Sequence, residues 1–127
     1  MAVKPHPMQS NPGREAARAV VPRMIELSED LIYGDIWERP NMSKRDRSLF
    51  VIAALIATYR PEQLKGHIGR GLDNGLTKDE IAETITHLAF YSGWPASMTA
   101  ARVLKEVMDE RGIVEAFGHG ISGQARP

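Results

Sequence analysis

The chain has 127 residues, with 16 basic and 16 acidic side chains and no cysteine. Its neutral balance lacks the basic excess of a nucleic-acid binder, and the missing thiols exclude disulfides, thiolate catalysis and zinc–thiolate sites. No apolar run approaches the ~18 residues of a membrane span, and the polar, proline-bearing start does not resemble a secretory leader. A cytoplasmic protein with no membrane partner is therefore expected.

Residues 1–13, with Pro5, Pro7, Pro12 and Gly13, read as a loose N-terminal arm. From Arg14 a helical period of Ala17, Val20, Val21, Met24, Leu27 and Leu31 predicts one helix with that stripe inward, ending near Gly34. Tyr33 to Pro40 reads as a turn or short helix stopped by the proline. Ser43 with Asp46 three residues on predicts an N-cap and a helix over 44–59. Leu49 to Ala57 is apolar without a break, and a helix apolar all round is buried on every side. In so short a chain this argues for a homo-oligomer.

Pro61 suits the first position of the next helix, which runs to about Asn74 with Gly75 as its stop. Thr77 and Glu80 form a second capping box, opening a helix with Ile81, Ile85, Leu88 and Ala89 on one face. Gly93 and Pro95 break it. Ala96 to about Arg111 is the last long helix, with Ala101, Leu104 and Met108 inward. No strand pattern appears, so the fold class is all-α, with five main helices and short connections. The domain spans residues 14–117, and the Gly-rich residues 118–127 form a tail.

Gly66, Gly69 and Gly71 sit in one helix, each costing roughly 1 kcal/mol against Ala. Glycines there allow either close helix packing or the approach of a ligand. His67 lies among them, with Arg60 and Gln63 on its face, and is the candidate acid or base, since an ordinary histidine titrates near neutral pH. The competing reading is a histidine satisfied in the core. His6, His67, His87 and His119 show no metal-ligand spacing, so no metal is expected. His87, one turn before Tyr91, reads as structural, inside the core. The helix pair over 62–92 superficially resembles a DNA-binding helix-turn-helix. Its second helix, however, carries Asp79, Glu80 and Glu83 against Lys78, the wrong sign for facing phosphates. Arg39, Arg45 and Arg47 gather around Trp37 and the start of the apolar helix. Arg47 is placed to hold a carboxylate by two hydrogen bonds, unless these arginines are merely solvated.

YGDIWERP, RDRSLFVIAALIA, LKGHI, DNGLTKDEIAE and YSGWPA, in this order, resemble the carboxymuconolactone decarboxylase family over roughly residues 14–117. The wider alkylhydroperoxidase D-like superfamily includes peroxidases with CxxC and a later histidine. Arg60 and Gln63 stand at the two cysteine positions and His67 at the histidine, so the peroxidase branch is excluded. The resemblance implies an all-helical protomer in a homo-hexamer or trimer, and cofactor-free decarboxylation of 4-carboxymuconolactone to the enol-lactone of 4-oxoadipate. His67 is the candidate catalytic residue, its chemistry suiting proton delivery or oxyanion stabilisation, and Arg39 and Arg47, which match arginines of the family pattern, suit the substrate carboxylates. Trp37, Tyr91 and Trp94 are the remaining candidates for the substrate pocket. Asn41, Gly66, Trp94, Ser97 and Met98 depart from common family residues and would reshape that pocket, so a different small acid is one alternative. A non-catalytic helical oligomer binding a small molecule or a partner is another.

Overall fold

The computed structural model describes residues 11–114, and these are all-α, with six α-helices and two shorter helical turns. The chain divides into two compact units, Met1–Arg47 and Ser48–Pro127. The arm and tail expected at the two ends lie outside the described residues, except for 11–13.

In the first unit, helix α1 (Pro12–Val20) starts earlier than expected, with Asn11 capping the Arg14 amide. The single helix expected over 14–34 does not form. Pro22 lacks an amide hydrogen and its ring crowds the preceding residue, pushing Val21 out of the helical region to φ −129° and ψ 63°. The chain restarts as α2 (Pro22–Leu27), continues as a π-helical turn (Ser28–Tyr33), and ends in a 3-10 turn (Ile36–Glu38). The expected inward stripe is overturned as well. Val20, Met24 and Leu31 are exposed, and Ile25 is the buried residue of α2. Arg14 donates to Ser28 Oγ at 2.8 Å, with its guanidinium over the Tyr33 ring, and Arg18 pairs with Glu29.

The remaining helices are α3 (Lys44–Ala57), α4 (Pro61–Asp73), α5 (Lys78–Ser92) and α6 (Trp94–Arg111). Their ends follow the local chemistry. Ser43 Oγ accepts the Asp46 amide, and Thr77 and Glu80 form the reciprocal capping box. Three C-termini close with paired backbone bonds around a left-handed or positive-φ residue: Tyr59, Gly75 and Gly112. Tyr59 is the non-glycine exception, at φ 58°.

The core of the second unit is built from Ile52 and Ile56 of α3, Leu64 and Ile68 of α4, Leu76, Ile81 and Ile85, and Ala100, Val103, Leu104, Val107 and Met108 of α6. Ala101 is exposed, contrary to expectation, while its neighbour Ala100 is buried. The face of α6 set by Leu104 and Met108 also contains residue 100, four positions earlier. Nor is α3 buried on all sides within one chain: Phe50, Ala54 and Ala57 are exposed.

Candidate active site

Helix α4 carries the centre of interest. Two of its glycines are explained by packing. A Cβ at Gly71 would lie 2.9 Å from Leu76 Cδ1 and 3.0 Å from Ile52 Cδ1, so the missing side chain lets α3 and the α4–α5 turn close in. At Gly69 a Cβ would lie 2.9 Å from Arg111 Nη2, which donates to the Gly69 carbonyl at 3.0 Å, while Arg111 Nη1 donates to Asp73 at 2.9 Å. Gly66 has no such explanation. It is exposed, and apart from its chain neighbours and its own helix backbone no described atom lies within 4 Å of where its Cβ would sit. Asn74 at the end of α4 donates to Ser48 Oγ on α3 at 2.9 Å, satisfying a fully buried hydroxyl.

His67 follows Gly66 and is half-buried. Burial, and secondarily the positive charge of Arg70, push its imidazole down to about 4. The expectation of an ordinary histidine titrating near neutrality is therefore corrected. An imidazole held there is mostly neutral at pH 7. Arg70 was missed from the sequence, although its place three residues after His67 was the available signal.

The other candidates fall in different places. In the first unit Trp37 is buried and stacks on Tyr33 at 6.0 Å. Arg39 is exposed. Arg47 is buried, and its guanidinium serves the backbone: Nε donates to the Met42 carbonyl at 3.2 Å and Nη2 to that of Arg39 at 3.1 Å. It thereby shapes the 39–42 loop and has N–H groups beyond those two. In the second unit Tyr91 is 79% and Trp94 57% exposed. Tyr91 stacks on His87 at 5.2 Å, and Phe90 meets Trp94 edge-on at 5.4 Å. His87 is thus a surface residue, not a core one. Ser97 is buried, donating to the Ile85 carbonyl at 2.8 Å, and so locks α6 to α5 instead of lining a pocket. Met98 is exposed.

Among the described residues no cluster of His, Asp or Glu is gathered to hold a metal ion, and no helix is long and apolar enough to cross a membrane.

The second unit thus holds a half-buried histidine next to Gly66, with Arg70 one turn on along the same helix. The chain belongs to the carboxymuconolactone decarboxylase family, whose sequence profile matches residues 22–106. It is 41% identical over 81 residues to a 4-carboxymuconolactone decarboxylase of Acinetobacter baylyi, covering 64% of this chain and 60% of that protein. It is 29% identical over 85 residues to a nitrosuccinic acid decarboxylase of Metarhizium robertsii, covering 67% and 59%. An uncharacterised 15.0 kDa protein of Paracoccus denitrificans is 28% identical over 97 residues, covering 75% and 72%. The chain thus spans about 60% of the length of the two decarboxylases it matches.

Proposed function

We propose that this chain is a cofactor-independent decarboxylase of a small carboxylated lactone, with 4-carboxymuconolactone as the first substrate to test. The observation that carries the reading is His67, half-buried beside an open glycine, in a chain of this family. Both named decarboxylase relatives act, by their names, on small acids. Such a reaction breaks the bond to the departing carboxylate and leaves the electron pair on carbon. The pair spreads through the ring double bond onto the lactone carbonyl oxygen. The neighbouring carbon then takes one proton, and CO2 leaves. The protein must hold a dianion, stabilise the oxyanion and supply that proton. His67 is assigned the proton or the oxyanion. Arg39 and Arg47 are assigned the carboxylates through their match to family arginines, with Trp37, Tyr91 and Trp94 as walls.

A cytoplasmic homo-oligomer, trimer or hexamer, belongs to the same reading. It is supported by the exposed Phe50, Phe90, Tyr91, Trp94 and Met98, apolar side chains that a second copy would cover. Tyr91 and Trp94 line a site only where a second copy covers them.

The test is incubation with 4-carboxymuconolactone in D2O. One CO2 should be released per lactone consumed, and one deuterium should enter a single face of the carbon beside the lactone carbonyl. Lactone loss no faster than without protein refutes the reading. In that event nitrosuccinate is the next acid to try, and binding without turnover would mark a non-catalytic member of the fold.

A further inference from the structure

The loop between the 3-10 turn and α3 has little backbone bonding of its own. The turn's helical bonds stop where the Arg39 amide donates to the Ile36 carbonyl at 3.3 Å, and those of α3 begin where the Arg47 amide donates to the Ser43 carbonyl at 3.0 Å. Between them Pro40 has no N–H to give, and Arg39 before it is extended, at φ −67° and ψ 139°. Among the described residues, no amide of 41–43 donates to another backbone group. What ties the loop is the Arg47 side chain, from a residue only 9% exposed. Its Nε and Nη2 form one edge of the planar guanidinium, and they donate to the Met42 and Arg39 carbonyls at 3.2 and 3.1 Å, one near each end of the loop. The neighbouring cations have carboxylates of their own. Lys44 pairs with Glu38 at 2.9 Å, and Arg45 with Asp46 at 3.0 Å. Arg39 differs: it is exposed, and no described carboxylate pairs with its guanidinium. A backbone held firmly beneath an uncommitted cation lowers the ordering cost when an anion meets that cation.

We propose that Arg47 is a positioning residue that acts through Arg39: its guanidinium fixes the 39–42 loop by both ends, so that Arg39 stands ready for a substrate carboxylate. This deepens the decarboxylase reading and rests on it for the nature of Arg39's ligand. It divides the work of the two arginines, Arg39 meeting the anion and Arg47 setting where Arg39 stands. Lysine at position 47 would keep the charge, but an ammonium on a flexible stem lacks the planar fork that spans two carbonyls. The loop would lose an anchor, and Arg39 its fixed base. The loss falls on binding, because the carboxylate is held less well while the reacting atoms are untouched.

The experiment compares the full chain with Arg47→Lys, Arg39→Ala, the two combined, and Pro40→Gly. NMR relaxation of the Arg39, Asn41 and Met42 backbone amides should give order parameters of about 0.85 in the wild type and below ~0.6 in Arg47→Lys, with the amides of α4 to α6 unchanged. With 4-carboxymuconolactone as substrate, Arg47→Lys should raise KM ~10-fold or more and leave kcat within ~3-fold of wild type. In the Arg39→Ala background the same substitution should leave KM unaltered, since a residue that acts through Arg39 has nothing further to lose. Pro40→Gly loosens the loop without touching Arg47 and should also raise KM. It carries the comparison if Arg47→Lys does not fold. Amides at 39–42 that stay rigid in Arg47→Lys, a KM rise that persists undiminished without Arg39, or an unchanged KM in Pro40→Gly overturns the proposal. The order parameters need no turnover. A wild type inactive on the lactone overturns the functional reading, while the relaxation comparison still decides whether Arg47 holds the loop.

Discussion

Gly66 and Gly71 lie in the same helix and gain the same propensity when changed to alanine, about 1 kcal/mol each. Their surroundings differ. At Gly66 the added methyl meets nothing within 4 Å, so Gly66→Ala should stabilise the fold by nearly the whole of that amount. At Gly71 the methyl lands 2.9 Å from Leu76 Cδ1 and 3.0 Å from Ile52 Cδ1, with Ser48 Cβ at 3.6 Å as a third wall. Ile52 and Leu76 are both core residues and have little room to retreat. Overpacking of this kind costs about 1–3 kcal/mol. Against the propensity gain, Gly71→Ala should come out destabilised by up to ~2 kcal/mol, and the two variants should differ by about 1–3 kcal/mol. Gly69→Ala should fall between them, because the atom it meets is the tip of the flexible, partly exposed Arg111. Urea unfolding at one fixed protein concentration measures all three, the concentration being held because an oligomer's apparent stability depends on it. A Gly71→Ala protein as stable as Gly66→Ala would refute this account of why α4 holds its glycines.

Tyr59 closes α3 in the left-handed region at φ 58° with its side chain exposed. That conformation costs a side-chain-bearing residue about 1–2 kcal/mol, partly offset by glycine's greater freedom when unfolded. Tyr59→Gly should therefore stabilise by about 0.5–1 kcal/mol in the same urea assay. His67 makes stability depend on pH. The unfolded residue binds its proton below about 6.5 and the folded one only below about 4, so between those values the unfolded chain holds the extra proton. Stability should rise with pH across this window and be lost as pH falls through it, by roughly 2 kcal/mol after allowance for partial exposure. His67→Gln should flatten that part of the urea-midpoint profile, and an unchanged slope would contradict the assignment. Replacing Phe90 and Trp94 together by serine should shift the light-scattering mass toward smaller species if these exposed rings meet a second copy.

Signals that act within four residues were legible in the sequence. Ser43, Thr77 with Glu80, Pro61 and Gly75 each mark a helix end by a bond or restriction confined to its own turn, and each stands where expected. Pro22 carried the same kind of signal, but the apolar period running across it masked the break. Periodicity also misjudged which side faces in. It chose Ala101 over Ala100, two identical residues whose faces differ by ~100°, and it turned inward a Val20–Leu31 stripe that the structure leaves outward. The candidate site was half legible. His67 and its glycines stood out, yet the reason for each glycine depends on what lies opposite: Leu76 and Ile52 for one, Arg111 for another, open space for the third. The low pKa of His67 depends on burial and on Arg70, neither of which a residue type announces.

The central claim is that this chain decarboxylates a carboxylated lactone with His67 as the proton donor. Turnover of 4-carboxymuconolactone by wild type and by His67→Gln, side by side near neutral pH, tests it most directly. Glutamine keeps a hydrogen-bond donor and most of the volume but cannot transfer a proton there. The account predicts turnover by the wild type and a loss of ~10²–10⁴-fold in the variant, with the fold intact. Near-normal turnover by His67→Gln would contradict it.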